Sequence, residues 1–254
     1  MKKKLSVSVV SYLNAQPFIH GLKHHEVSNC IHLTLDIPSE CARKLLHNEA
    51  DIGLVPVAII PQLNDFEIIG NTCIGAIGKV ASVLLCSDVP LNEIENVFLD
   101  FHSRTSVTLV QVLSEHFWKI APNFVQAPED YIHHIQNKTG GVIIGDRTFN
   151  LQQDFKYVYD LSEEWFKFTR LPFVFAAWVG RKGIDAQLLT AFEEALQLGL
   201  GKKDVVINEF QLKYGNTFDV AHYLNMNIQY VLDEEKKKGM ELFFDHIKRL
   251  NYIR

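Results

Sequence analysis

Apolar and polar positions alternate at the start of the chain, with Leu5, Val7 and Val9 set against Ser6 and Ser8, the period-two pattern of a strand with one covered face. It gives way to SYLNAQPFIHGL, where Pro17 suits an early helical position behind a polar loop. Ile31 to Ile37 predicts a second strand. Pro38 and Ser39, the latter a candidate N-cap, introduce the amphipathic run ECARKLLHNEA. A short apolar strand broken by Gly53 and Pro56, ADIGLVPVAII, follows directly. Strand, helix, strand, helix, strand is a βαβ pattern, which implies a parallel sheet with helices on its faces.

The cycle then recurs. KVASVLLCS is almost continuously apolar and predicts a strand covered on both faces. In NVFLDFHSRTSVTLVQVLSEHF, Val97 to Leu99 form a strand, and helical spacing runs from Ser106 to Phe117. GGVIIGD closes this cycle as strand plus loop, and an aromatic-rich helix leads into the apolar strand Phe173 to Val179. From Asp185 onward four successive runs, DAQLLTAFEEALQLGL, KKDVVINEFQLKYG, FDVAHYLNMNIQYVL and DEEKKKGMELFFDHIKRL, predict helices only. No low-complexity linker separates the cycles. The economical arrangement is a discontinuous α/β lobe of residues 1–85 plus 175–254 with a second α/β lobe, 86–174, inserted in it. Val83 to Ser87 and Phe173 to Trp178 would cross between them, and the charged run 233–238 would be a solvated helix face.

Composition narrows the function. A net charge of −5 argues against a general nucleic-acid binder, whose affinity needs clustered Lys and Arg. Cys30, Cys41, Cys73 and Cys86 lie far apart in apolar or helical stretches and read as reduced core residues, not as zinc ligands or a disulfide framework. The pairs His24–His25 and His133–His134 are neighbours that point apart, which makes poor chelates, so no metal site is expected. The basic start MKKKLSVSVV lacks a cleavage pattern, and no apolar run nears the roughly 20 residues of a membrane span. A soluble, cytoplasmic protein is expected. Phosphate-loop, dinucleotide, zinc-protease and nucleophile-elbow signatures are all missing.

What remains are polar residues at the carboxyl ends of predicted strands, where open α/β sheets bind ligands. Tyr12, Asn14 and Gln16 follow the first strand, with Asn14 serving either a turn or a ligand. His102, Ser103, Arg104, Thr105 and Ser106 precede a helix, as an ordinary N-cap or as an anion site built of hydroxyls and helix-start N–H groups. Gly145 and Asp146 follow VII. Ser82 lies in an apolar strand, where its hydroxyl needs a backbone or ligand partner. These residues describe a cleft that binds a small anion through neutral donors.

The strings SYLNAQPF, ADIGLVPVA, GAIGKVASVLL, LDFHSRTSVTLVQVL, VIIGD and EWFKFTRLPFVFAAWVG, in this order over most of the chain, resemble the menaquinone-biosynthesis family of the futalosine route. Within it they resemble the chorismate dehydratase branch. The resemblance implies a two-lobed periplasmic-binding-protein type II-like fold, each lobe a mostly parallel sheet flanked by helices, with the ligand cleft between lobes. It implies a hydro-lyase that converts chorismate to 3-[(1-carboxyvinyl)oxy]benzoate with no cofactor and no redox change. A sister family, 1,4-dihydroxy-6-naphthoate synthase, shares the fold, and a non-catalytic anion-binding module is the alternative of another class. Under the dehydratase resemblance Ser103, Thr105, Ser106 and helix-start N–H groups would hold the ring carboxylate, while Asn14 and Ser82 would flank the reacting carbons and orient either the departing hydroxyl or the second carboxylate. Tyr12 and Gly145 would line the substrate. Arg104 is either a carboxylate clamp or an outward ion pair. The base is either Asp146 or the enolpyruvyl carboxylate of the substrate itself.

Overall fold

Two mixed sheets flanked by helices organise the chain in the computed structural model, which describes residues 4–149, 151, 154–215 and 217–250. The chain lays down β1 (Leu5–Val10), β2 (Ile31–Asp36), β3 (Ile52–Pro56) and β4 (Phe66–Ala76) in one sheet. It then builds a second sheet from β5 (Val83–Ser87), β6 (Asn96–Leu99), β7 (Asn123–Gln126), β8 (Thr139–Ile144) and β9 (Tyr157–Asp160). With β10 (Phe173–Arg181) and β11 (Gln229–Val231) it returns to the first.

The strand orders are β11-β4-β10-β3-β1-β2 and β7-β6-β8-β5-β9. The expected parallel βαβ pairing holds where the sequence shows it: β1 runs parallel to β2 and β3, with Val7 opposite Leu33, and β6 runs parallel to β7 and β8. Neither sheet is mostly parallel, however. The returning strand β10 is antiparallel to β3 and β4, β11 to β4, and β5 to β8 and β9. For β10 the reason is topological: a strand that re-enters a sheet after the chain has built another is free of the crossover that forces parallel pairing. β5 and β10 each pair within one sheet, so the crossings are made by the segments just before them.

Helices α1 (Gln16–His24) and α2 (Pro38–Leu46) connect the first three strands. Helix α2 starts at Pro38 with Ile37 in the cap position, so Ser39 lies inside the first turn and is not the N-cap. α3 (Thr105–Leu113) and α4 (Leu161–Thr169) cover the second sheet. α5 (Ala186–Gly201), α6 (Lys203–Tyr214), the short α7 (Val220–His222) and α8 (Glu234–Arg249) complete the chain. The third of the predicted helical runs is interrupted by β11, which adds an edge strand to β4. Along the charged run, Lys236 is buried, its ammonium ion-paired to Asp233 at 2.6 Å, while most of its neighbours are exposed. Cys41, Cys73 and Cys86 are buried and free as expected, but Cys30 is exposed.

One apolar cluster runs from the first sheet through β10 to α3, so the core is continuous across the seam between sheets; a smaller one lies around Leu84, Tyr131 and Ile143. Trp165, Phe173 and Trp178 belong to the large core. At one crossing the fold demands glycine. Gly21 of α1 sits against the Ala195 carbonyl of α5 and Gly199 against that of Pro17, and a Cβ on either would overlap those oxygens. This contact fixes α1, and with it the loop that carries Asn14.

Candidate functional site

Between the sheets lies a cleft with about 530 Å³ of atom-free space, partly open to solvent. Of the sequence-predicted residues, Tyr12, Asn14, Ser82, Ser103, Thr105, Ser106 and Gly145 line it. Arg104 and Asp146 do not. Strand ends converge here from both sheets, the site expected for a ligand in an open α/β sheet. Of the aromatic string Trp165, Phe166, Phe168, Phe173, Phe175 and Trp178, expected mostly in the core, Phe175 lines the cleft, and Pro38 and Pro56, which no polar pattern marks, complete its apolar walls.

Ser82 is presented by a strained turn immediately before β5, not from within a strand. Ala81 sits in the left-handed region at φ +63°, a conformation costing a non-glycine residue about 1–2 kcal/mol. Three bonds hold it there. The Asp160 carboxylate accepts the Ala81 N–H at 2.7 Å, the Thr148 hydroxyl donates to the Ala81 carbonyl at 3.1 Å, and the Gly145 N–H donates to the Ser82 carbonyl at 2.9 Å. Asp160 also caps α4 through the N–H groups of Ser162 and Glu163. Its burial outweighs these donors and pushes its carboxyl up to about 6.

Asn14 faces Ser82 across a buried tyrosine. The Asn14 amide N–H donates to Tyr223 Oη at 3.3 Å, and the Tyr223 O–H donates to Ser82 Oγ at 2.8 Å. Asn14 Oδ1 is buried without a hydrogen-bond partner. Below it, Tyr230 Oη donates to the Asn14 carbonyl at 2.9 Å and holds the loop. Nothing in the local sequence marks Tyr223, which lies 141 positions from Ser82.

The start of α3 supplies the other polar wall. Ser103 Oγ accepts the Ser106 N–H at 2.9 Å, which leaves the Ser103 hydroxyl proton available to the cleft. Thr105 plays a different part from the one expected. Its hydroxyl accepts the Ala58 N–H at 3.2 Å and donates to the Phe175 carbonyl at 3.1 Å, so it ties α3 to the first sheet and has no proton left for a ligand. Arg104 is exposed, does not line the cleft and forms no salt bridge among the described residues. The loop is anchored instead by the buried Asp100, which accepts the His102 N–H and the Tyr131 O–H and is ion-paired with Arg147.

Asp146 clasps the two sheets together. One carboxylate oxygen accepts the Leu13 N–H at 3.0 Å and the other the Tyr214 O–H at 3.1 Å. Burial raises its pKa above the usual carboxylate value despite these donors. Gly145 beside it has φ +66°, and a Cβ there would come within 2.8 Å of the Tyr12 ring. Tyr12 Oη in turn is hydrogen-bonded to His102 Nδ1 at 3.0 Å, and burial pushes its phenol up to about 12. Among the described residues no group of His, Cys, Asp and Glu is placed to hold a metal ion, and no helix is long and apolar enough to cross a membrane.

The arrangement offers a ligand hydroxyl and amide groups with unused hydrogen-bonding capacity, helix-start N–H groups and, among the described residues, no Lys or Arg. Comparison with known proteins adds to this geometry. A family model described as menaquinone biosynthesis matches residues 5–249. A chorismate dehydratase of Thermus thermophilus is 28% identical over 253 residues, covering 91% of each chain. The crystal structure of an Archaeoglobus fulgidus protein superposes with TM-score 0.78 at 14% identity, covering 98% of both chains. The alkanesulfonate-binding protein of Xanthomonas axonopodis pv. citri, solved with MOPS bound, gives 0.63 at 12% identity over 96% of this chain and 93% of its own. The periplasmic aliphatic sulphonate binding protein of Escherichia coli gives 0.59 at 14% identity over 100% and 95%. At these identities the structural likeness establishes the periplasmic-binding-protein-like fold.

Proposed function

The chain belongs to the menaquinone-biosynthesis family, and from that premise we propose that it is a cytoplasmic hydro-lyase, a chorismate dehydratase that forms 3-[(1-carboxyvinyl)oxy]benzoate. The observation that carries this reading is the Asn14–Ser82 pair, uncharged and lining the cleft, with Ser82 buried, Asn14 half-buried and the Asn14 Oδ1 acceptor without a partner. The two lobes that enclose it follow the two sheets, so the expected boundaries at 85/86 and 174/175 move to the segments just before β5 and β10, since β5 pairs in the second sheet and β10 in the first.

Dehydration breaks the C–H bond at the ether-bearing ring carbon and the C–O bond to the neighbouring hydroxyl. Proton and hydroxide leave together as water, the ring becomes aromatic, and no electron is exchanged with a cofactor. Charge released by deprotonation passes through a ring double bond into the ring carboxylate. The Ser103 and Ser106 hydroxyls and the first-turn N–H groups of α3 other than that of Ser106, which is spent on Ser103, are the donors that meet it there, preorganised where charge develops. Asn14 and Ser82 hold the departing hydroxyl.

Asp146 is poorly placed as the base, since both its oxygens are engaged and it does not line the cleft. The enolpyruvyl carboxylate of the substrate is carried to the reacting carbon by the molecule itself, and such an intramolecular transfer gains up to about 7–11 kcal/mol from proximity. The protein's task is then to hold the conformer in which that carboxylate reaches the proton.

Incubation of the purified protein with chorismate, followed by mass spectrometry, tests the proposal. Enzyme-dependent loss of one water is expected. Chorismate that binds but is recovered unchanged would overturn the dehydratase reading in favour of a binding module.

A further inference from the structure

We propose that Tyr223 is a positioning residue that gives Asn14 and Ser82 opposite hydrogen-bonding character, so that the pair takes a hydroxyl group of the substrate and not a carboxylate. This rests on the dehydratase reading and assigns a role to a residue remote in sequence from both partners.

The Tyr223 hydroxyl is buried between the two side chains, 3.3 Å from Asn14 Nδ2 and 2.8 Å from Ser82 Oγ. It carries one hydrogen, so it donates to one partner and accepts from the other. In the structure it accepts from the Asn14 amide and donates to Ser82. Ser82 then turns its own proton to the cleft, and Asn14 keeps Oδ1 as an open acceptor, the unpartnered buried atom at this site. Rotating the amide by half a turn reverses the whole chain: Ser82 donates to Tyr223, Tyr223 donates to Asn14 Oδ1, and the amide N–H₂ faces the cleft. Either way the pair presents one donor and one acceptor.

A hydroxyl both donates and accepts and satisfies both members at once. A carboxylate only accepts, and would leave the acceptor member buried and facing like charge density. The surroundings keep the relay intact. Tyr223 is fixed by edge contacts to Phe149 and Phe218, and Asn14 by the Tyr230 hydroxyl on its carbonyl.

Tyr223→Phe keeps the ring and removes the relay. Chorismate turnover and binding of 3-[(1-carboxyvinyl)oxy]benzoate, which lacks the ring hydroxyl, are measured for the parent, Tyr223→Phe, Ser82→Ala and the double variant. Tyr223→Phe is expected to lower kcat about 10- to 100-fold, a fraction of what loss of a preorganised donor costs, with the product Kd within about twofold of the parent. In the Ser82→Ala background the same change should cost less than about twofold, because the relay between Ser82 and Asn14 is already cut there. Additive losses, an unchanged kcat, or a product Kd that rises with the loss of turnover would each overturn the proposal. If Tyr223→Phe does not fold, Ser82→Ala carries the test: kcat/KM for chorismate must fall while product affinity holds, and loss of both sinks the inference. A parent protein with no turnover overturns the dehydratase reading first, so the two failures are told apart.

Discussion

Thr105 and Asp146 lie between the sheets only a short way from Asn14 and Ser82, yet the two pairs differ in what their hydrogen bonds leave over. Thr105 spends its proton on Phe175 and a lone pair on Ala58, and both Asp146 oxygens are taken by Leu13 and Tyr214. These four bonds run between elements of different sheets and contribute cohesion. At Asn14 and Ser82, which line the cleft, an acceptor and a proton remain unused. Polar type and burial do not separate ligand-binding groups from structural ones. Residual hydrogen-bonding capacity does.

Substitutions test this division. Asn14→Ala should lower turnover of chorismate by about 10² to 10³ while leaving the chain folded, as expected for loss of one preorganised group; steady-state kinetics beside a thermal melt would show it. Thr105→Val keeps the volume and leaves a buried N–H and a buried carbonyl unpaired, at roughly 1–3 kcal/mol each. Its loss should therefore register in urea unfolding, with kcat changed less than at Asn14.

Asp146→Asn is the sharper probe, because the same residue is a candidate base on sequence grounds. Removing a general base costs about 10² to 10⁴ in rate, whereas an amide that still accepts from Leu13 and turns its N–H₂ to donate to the Tyr214 oxygen should cost less than about tenfold. The pKa of Asp146 is raised, so the stability linked to its protonated form is complete below the ordinary value of 3.8 and is lost as pH rises through the higher folded value. Asp146→Asn should flatten the stability profile above pH 3.8. Arg104→Ala sits at the bottom of the scale, within about 0.5 kcal/mol of parental stability as for an exposed surface site, and with chorismate kinetics unchanged. A large loss of turnover there would place the guanidinium in the cleft after all.

Strand-and-helix cycles with clear apolar periods were legible before the structure, and so were the residues at the ends of β1 and β8 and at the start of α3. The antiparallel strands were harder. β4 carries Gly70 and Asn71 in its interior, residues that signal a turn, and β11 is three residues long within an amphipathic run. Lys236 sits in a charge run yet is buried, because one face of α8 turns inward over Gly75. Within the site, periodicity placed hydroxyls near the ligand but left open which of Ser103, Arg104, Thr105 and Ser106 face it. That depends on the rotation of α3 about its axis, fixed by the distant Phe175 carbonyl and the Asp100 anchor. Tyr223 was out of reach altogether, since its partners are remote in sequence.

The walls of the cleft, which hold no Lys or Arg among the described residues, have a consequence for the molecule in its milieu. A site that gathers a dianion with cations draws it in over the screening length of about 8 Å at physiological ionic strength, and loses grip as salt rises. Neutral donors act only at contact distance, inside that length. Affinity here should hardly vary with added salt, and phosphates or dicarboxylates of equal charge gain no long-range advantage over the molecule whose oxygens match the donors.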